Sequence, residues 1–226
     1  MHITLDWNQI DTVLLDMDGT LLDLHFDNFF WLEHMPLAYA EKHNISHDEA
    51  KAQLFDLFDL HRGTLNWYCL DYWTDALGIN IAELKKDITH KIGFRPHVQD
   101  FLTALRADGK RSVIVTNAHR DSVNLKLQHT GLDKYVDRII SSHDYQEPKE
   151  SQAFWQHLMR DEPFDKTRTL LLDDSLAVLE SAREFGIAHL LCIVQPDSQQ
   201  APRQITDFHA VDAFTEIMPD KRNHHD

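Results

Sequence analysis

The stretch Val13-Leu14-Leu15-Asp16-Met17-Asp18-Gly19-Thr20-Leu21 runs an apolar segment into two carboxylates and then a glycine. A short apolar run that stops at a glycine reads as a buried strand ending in a tight turn. Side chains on a strand alternate with a period of two, so Asp16 and Asp18 share one side of the backbone and can meet one ligand. Two carboxylates that close repel each other unless one is protonated or a cation lies between them. A strand end built this way can supply a nucleophile, a proton carrier and a metal ligand, the parts of a phosphotransfer site.

Four further runs share the apolar, branched character of the first: Ser112 to Thr116, Arg138 to Ser141, Thr169 to Leu172 and His189 to Val194; the first run itself extends from Thr12 to Met17. Between them lie segments with helical periodicity, Val98 to Leu105, Ser122 to His129, Gln152 to Met159 and Leu176 to Phe185. Alternating strands and helices predict an α/β fold with a parallel sheet. Gly109, Gly131 and Gly186 stand where helices should stop. From Leu24 to about Phe94 there is no convincing strand, only aromatic-rich helical patterns at Phe26 to Ala40, Asp48 to Leu60, Thr64 to Leu77 and Ile81 to His90. Seventy residues of coil inside a compact domain are implausible, which predicts an all-helical cap at 24–94 inserted into a core formed by 1–23 and 95–226. Phe94-Arg95-Pro96 reads as the return hinge, with Pro96 in the first turn of the next helix.

Composition narrows the function. The chain has 226 residues, 42% of them hydrophobic, enough to bury a sizeable core. A net charge of −15 with no stripe of Lys or Arg argues against nucleic-acid polymers and anionic membranes as partners. No apolar stretch reaches the ~18 residues of a membrane span. Two cysteines, Cys69 and Cys192, are too few for a disulfide framework, and the first residues lack the pattern of a signal peptide, so a cytoplasmic location is expected. The 16 histidines are scattered; His43 and His47 have i, i+4 spacing, but Ser46 with Asp48 and Glu49 reads as a helix start between them, which argues against a zinc pair. The segment Lys221 to Asp226 reads as a frayed end.

Ligands in open α/β sheets bind at the carboxyl ends of strands. By that rule Asp16 and Asp18, Thr116-Asn117, Lys149 and Asp173-Asp174-Ser175 face one crevice. A helix start after Thr116 and Asn117 would offer N–H groups to phosphate oxygens, the Thr116 hydroxyl another donor, and Lys149 a compact positive charge. The acidic cluster calls for a hard cation such as Mg²⁺.

In this order the motifs resemble those of the haloacid dehalogenase superfamily of phosphatases: DxDGT at Asp16 to Thr20, Thr116 at the end of the second strand, Lys149, then the acidic pair Asp173-Asp174. The resemblance implies a Rossmann-like core with an inserted helical cap over the active site. It also implies that Asp16 attacks phosphorus to form an aspartyl phosphate, that Asp18 protonates the leaving oxygen and then activates water, and that Thr116 and Lys149 hold the phosphoryl group. Mg²⁺ would be bound by Asp16, the Asp18 backbone carbonyl and Asp174, with Asp173 behind them. An acid at position 18 distinguishes the chain from the superfamily's dehalogenases and phosphonate hydrolases. Hexose-phosphate mutases keep both aspartates, and intact Asp16, Asp18, Lys149 and Asp174 argue against an inactive ligand-binding module.

Within the family, Leu22 to Asn28, Thr64 to Trp73, Leu125 to Leu132 and Thr169 to Ser175 are similar to bacterial purine 5′-nucleotidases acting on GMP and IMP. That implies a small phosphorylated substrate, a nucleoside monophosphate, with a sugar phosphate or phosphoglycolate as the alternative, and a monomer or small homo-oligomer. A flat base needs a stacking face and polar edge partners. Trp31, Trp67, Tyr68, Tyr72 and Trp73 are candidates for the first, and Asp27, Asn28 and Asn66 for the second, although Trp67, Leu70 and Trp73 also have the spacing of the cap's own core.

Overall fold

The structure is a computed structural model that describes residues 5–219; the end segment Lys221 to Asp226 lies outside them. Six strands form one parallel sheet in the order β3-β2-β1-β4-β5-β6. They are β1 (Thr12–Leu15), β2 (Arg111–Thr116), β3 (Arg138–Ser141), β4 (Thr169–Asp173), β5 (His189–Ile193) and β6 (His209–Val211). The expectation of a Rossmann-like α/β core with a parallel sheet is met. In β1, Val13 and Leu15 enter the hydrophobic layer on one face while Leu14 enters the other, as a period of two requires. Helices α7 (Val98–Ala107) and α8 (Arg120–Thr130) contribute to the first layer; α9 (Gln152–Asp161) and α10 (Leu176–Phe185) close the second with Phe154, Trp155, Val178 and Leu179. Strand β6 went unread in the sequence because it has only three residues and its first is an exposed histidine.

Between β1 and α7 the chain is helical: α1 (His25–Phe29), a π turn (Phe30–His34), α2 (Met35–His43), α3 (His47–Asp59), α4 (Leu65–Tyr68), α5 (Leu70–Leu77) and α6 (Ile81–Lys86). They gather around their own core, in which Phe26, Phe30, Phe58, Leu70, Trp73 and Ile81 are buried. Ser46 caps α3 through the Glu49 amide, which separates His43 from His47 as expected. The run Thr64 to Leu77 is broken at Cys69, whose extended backbone ends α4 and whose sulfur caps α5 at Tyr72 N. Pro96 lies outside α7, not in its first turn. His97, left-handed at φ +64°, occupies the capping position, and α7 starts at Val98.

Candidate active site

Central position places the carboxyl end of β1 between those of β2 and β4. After Leu15 the chain turns sharply: Leu21 and Leu22 amides donate to Met17 O, and Gly19 N donates to Leu22 O. Gly19 sits at φ +88°, and a Cβ there would come within 2.8 Å of Asp174 Cγ. Glycine is required by both the dihedral and the closeness of the acidic pair.

Lys149 is the hub of the buried charges. Its ammonium donates to Asp16 Oδ1 at 2.6 Å, Asp173 Oδ2 at 2.7 Å and the Val115 carbonyl at 3.1 Å. Burial opposes its charge, but Asp16 and Asp173 outweigh that and raise its pKa. Asp173 gives its other oxygen to the Ser175 amide. Asn117 supports the same loop: its carbonyl accepts from Lys149 N, and its amide donates to Glu150. Thr116 Oγ1 accepts from Ala118 N, and α8 starts only at Arg120. The helix thus starts after Thr116 and Asn117 as expected, with His119 at its cap, and the Thr116 hydroxyl retains its proton for a ligand.

Carboxylate oxygens of Asp16, Asp173 and Asp174 lie within 4.8 Å of one another, while Asp16 Oδ2 is buried with no hydrogen-bond partner. Burial first, then the neighbouring negative charge, pushes the Asp16 carboxyl up to about 6 and that of Asp174 well above its ordinary range. Three carboxylates against one ammonium, with an orphaned oxygen among them, form a donor set that suits a hard cation. Asp18 is also raised to about 6, by burial first, against the pull of Lys126.

Sequence reading missed Lys126 and Lys85. Lys126, on α8, has its ammonium 2.7 Å from Asp18 Oδ1, outside hydrogen-bonding geometry, and donates to Asp27 Oδ2 at 2.7 Å. Lys85, on α6, donates to Asp27 Oδ1 at 2.7 Å. Burial alone would raise the Asp27 carboxyl, but Lys126 and Lys85 hold it down at about 2. The available signal was the i, i+4 spacing of Lys126 from Ser122, a face that α8 buries.

Above the acidic cluster is a cavity of about 450 Å³, lined by Asp16, Asp18, Thr116, Asn117, Lys149 and Asp174 at one pole and by Trp31, Phe55, Trp67 and Tyr68 at the other. Asp27 and Asn28 reach it, with Asn28 donating to Asp197 at 2.7 Å. Two expected residues do not. Asn66 is exposed on the far side of α4, whose Trp67 and Tyr68 take the inward positions. Tyr72 is turned away and shares a hydrogen bond with His61. Leu70 and Trp73 are buried in the helical core as their spacing predicted, and Trp73 touches the cavity edge.

A parallel sheet with this acid–lysine–acid cluster at its carboxyl end belongs to a known class: over residues 13–192 the sequence matches the haloacid dehalogenase-like hydrolases, and the chain is a member of that family. It is an enzyme of the phosphatase type. It is 39% identical over 219 residues to the GMP/IMP nucleotidase YrfG of Escherichia coli (strain K12), spanning 97% of this chain and 99% of that one. The fold is shared with an HAD phosphatase from Thermococcus onnurineus (TM-score 0.77, 22% identity, 92% of this chain and 95% of the other). It is shared too with CbbY from Rhodobacter sphaeroides solved with phosphate (TM-score 0.66, 17% identity, 92% and 96%). Among the described residues no helix is long and apolar enough to cross a membrane.

Proposed function

We propose that the chain is a cytoplasmic, Mg²⁺-dependent 5′-nucleotidase that hydrolyses purine nucleoside monophosphates, GMP and IMP first. The observation that carries this reading is a cavity that joins a charged pole to an aromatic wall. The relative of 39% identity, itself a GMP/IMP nucleotidase, supports the same substrate. In this reading residues 24–94 are a cap that reads the base and residues 1–23 and 95–226 a core that handles phosphate.

Asp16, held by Lys149 through one oxygen, attacks phosphorus in line, and the bond from phosphorus to the nucleoside oxygen breaks. Asp18, with its carboxyl raised toward neutrality, donates its proton to that leaving oxygen. The Asp18 carboxylate then takes a proton from water as the water oxygen attacks the aspartyl phosphate, releasing phosphate and restoring Asp16. Lys149 and the Thr116 hydroxyl neutralise and orient the phosphoryl oxygens. Asp16, Asp174 and the Asp18 backbone carbonyl would hold Mg²⁺, with Asp173 anchoring Lys149 behind them. When bound, the ion supplies charge neutralisation at the phosphoryl group. Trp31, Phe55, Trp67 and Tyr68 offer faces for the base, and Asn28 a polar edge.

The test is phosphate release from GMP, IMP, AMP, pyrimidine monophosphates, phosphoglycolate and sugar phosphates with Mg²⁺, using Asp16→Asn as the blank. Expected is a kcat/KM for GMP and IMP at least about tenfold above AMP, because a site that bonds a polar base edge rejects the analogue that leaves it unpaired. A preference for phosphoglycolate or a sugar phosphate would remove the nucleotide assignment. Turnover by Asp16→Asn equal to wild type would remove the covalent mechanism.

A further inference from the structure

We propose that Cys69, His119 and His143 form a second metal site, for a zinc-like transition ion, at the seam between the inserted helices and the sheet. One ligand atom from each lies within 4.8 Å of the others, and the three come from separate elements: the break between α4 and α5, the cap of α8, and the turn after β3. A thiolate and two imidazoles suit zinc-class ions and not Mg²⁺, which takes oxygen ligands. In a tetrahedral Zn²⁺ site, ligand atoms stand about 3.3–3.8 Å apart, so the three donors need to draw together by at most about 1.5 Å.

The surroundings are those of a metal site. His143 Nε2 is buried and has no hydrogen-bond partner. A neutral ring with its proton on the other nitrogen presents a lone pair at this unpartnered one, the form a metal needs. His119 is oriented from both sides: Nδ1 accepts from Asp121 N at 3.4 Å, and Nε2 is 3.5 Å from Asp71 Oδ2. A carboxylate that accepts from the non-ligating ring N–H is the usual way of holding a metal-bound imidazole, and Asp71 beside Nε2 stands where it can do so when Nδ1 ligates. Histidine–histidine packing at 4.9 Å and 79° keeps the two rings edge to face.

Cys69 belongs to the helical side and both histidines to the sheet side. An ion shared by all three would tie these parts together beside Tyr68 and Asn117, which line the cavity. Opening for product release would then be slowed, so a bound ion inhibits turnover. Neither Cys69 nor His143 lines the cavity or enters the proposed phosphate chemistry.

The probe is Co²⁺, followed by Zn²⁺, added to the protein in saturating Mg²⁺. Wild type should bind one Co²⁺ with a thiolate-to-cobalt charge-transfer absorption, which Cys69→Ser abolishes and His143→Ala weakens. Zn²⁺ affinity by calorimetry should fall at least about 100-fold in each variant, since even outer partners of ligands are worth 10–100-fold. Cys69→Ser keeps a helix-capping side chain, so its fold and its zinc-free turnover should match wild type. Turnover of wild type should be lost at stoichiometric Zn²⁺ and kept by Cys69→Ser. Absence of the charge-transfer band, or equal Zn²⁺ affinity in wild type and both variants, overturns the proposal. Equal zinc inhibition of Cys69→Ser also overturns it, because the ion would then act at the Asp16 cluster.

Discussion

Replacing Lys126 by methionine removes one charge from a buried quartet and changes little else. Lys126 is 1% exposed, and its ammonium stands 2.7 Å from both Asp18 and Asp27. Lys85 contacts Asp27 from the other side, so two ammonium groups balance two carboxylates. Burial opposes the charge of Lys126, but Asp18 and Asp27 outweigh it and raise its pKa. Methionine keeps the apolar stem and fills the same space. Breaking a buried pair by removing one partner costs about 3–5 kcal/mol. Asp27 keeps Lys85 here, so the expected loss is at the lower end, about 3 kcal/mol, and falls on Asp18. For a chain of this size 1 kcal/mol moves Tm by about 2–4 °C, giving a drop of about 6–12 °C by calorimetry in metal-free buffer. The decisive comparison is a double-mutant cycle with Asp18→Asn. Removing the stranded carboxylate should recover part of the loss, with a coupling of about 1–3 kcal/mol. A Tm within 2 °C of wild type, or strict additivity in the cycle, would refute the claim that Lys126 and Asp18 compensate each other.

Three more predictions rest on single features. Gly19→Ala should lose about 1–3 kcal/mol from strain at φ +88° and weaken Mg²⁺ binding, because its Cβ would press on Asp174; unchanged Tm and Mg²⁺ affinity would contradict this. Glu162 accepts from Arg111 and Arg138, and the Arg111 hydrogen bond holds its carboxyl below the usual range. Its contribution is therefore present above the ordinary glutamate pKa of about 4.3 and lost as pH falls through the lower folded-state value, so the stability gap to Glu162→Gln, about 1–2 kcal/mol at pH 7, should narrow in acid; a gap constant from pH 7 to 3 would sink the argument. Phe55 lines the cavity yet is 61% exposed, so Phe55→Ala should leave Tm within about 1 °C and raise KM for a nucleotide about 3- to 10-fold with little change for glycerol phosphate; equal effects on both substrates would show that Phe55 does not touch the base.

Much of the core was legible in the sequence because local rules act there without competition. Apolar runs at β1 and four other strands, helical periodicity between them and glycines at helix ends are properties of neighbouring residues, and they placed five of the six strands and the four helices that cover them. The order of Asp16, Asp18, Thr116, Lys149 and Asp174 along those strands then located the charged pole of the cavity, since a parallel sheet gathers its strand ends at one edge. The length and aromatic content of the insertion announced helices but not which faces turn inward. Asn66 and Trp67 are adjacent in sequence, and only the way α4 packs sends one to solvent and the other to the cavity. The same holds for the long-range charges. Lys85, Asp27, Lys126 and Asp18 span 108 positions, and Cys69, His119 and His143 span 74, with no spacing rule to link them. Their proximity comes from docking the inserted helices onto α8 and the strand ends, and desolvation there decides which lysines bind carboxylates and which histidine nitrogen is left without a partner. Sequence determined the strands and the chemistry each strand end carries; tertiary packing decided what faces that chemistry, because contact across the seam depends on faces and angles that no local pattern encodes.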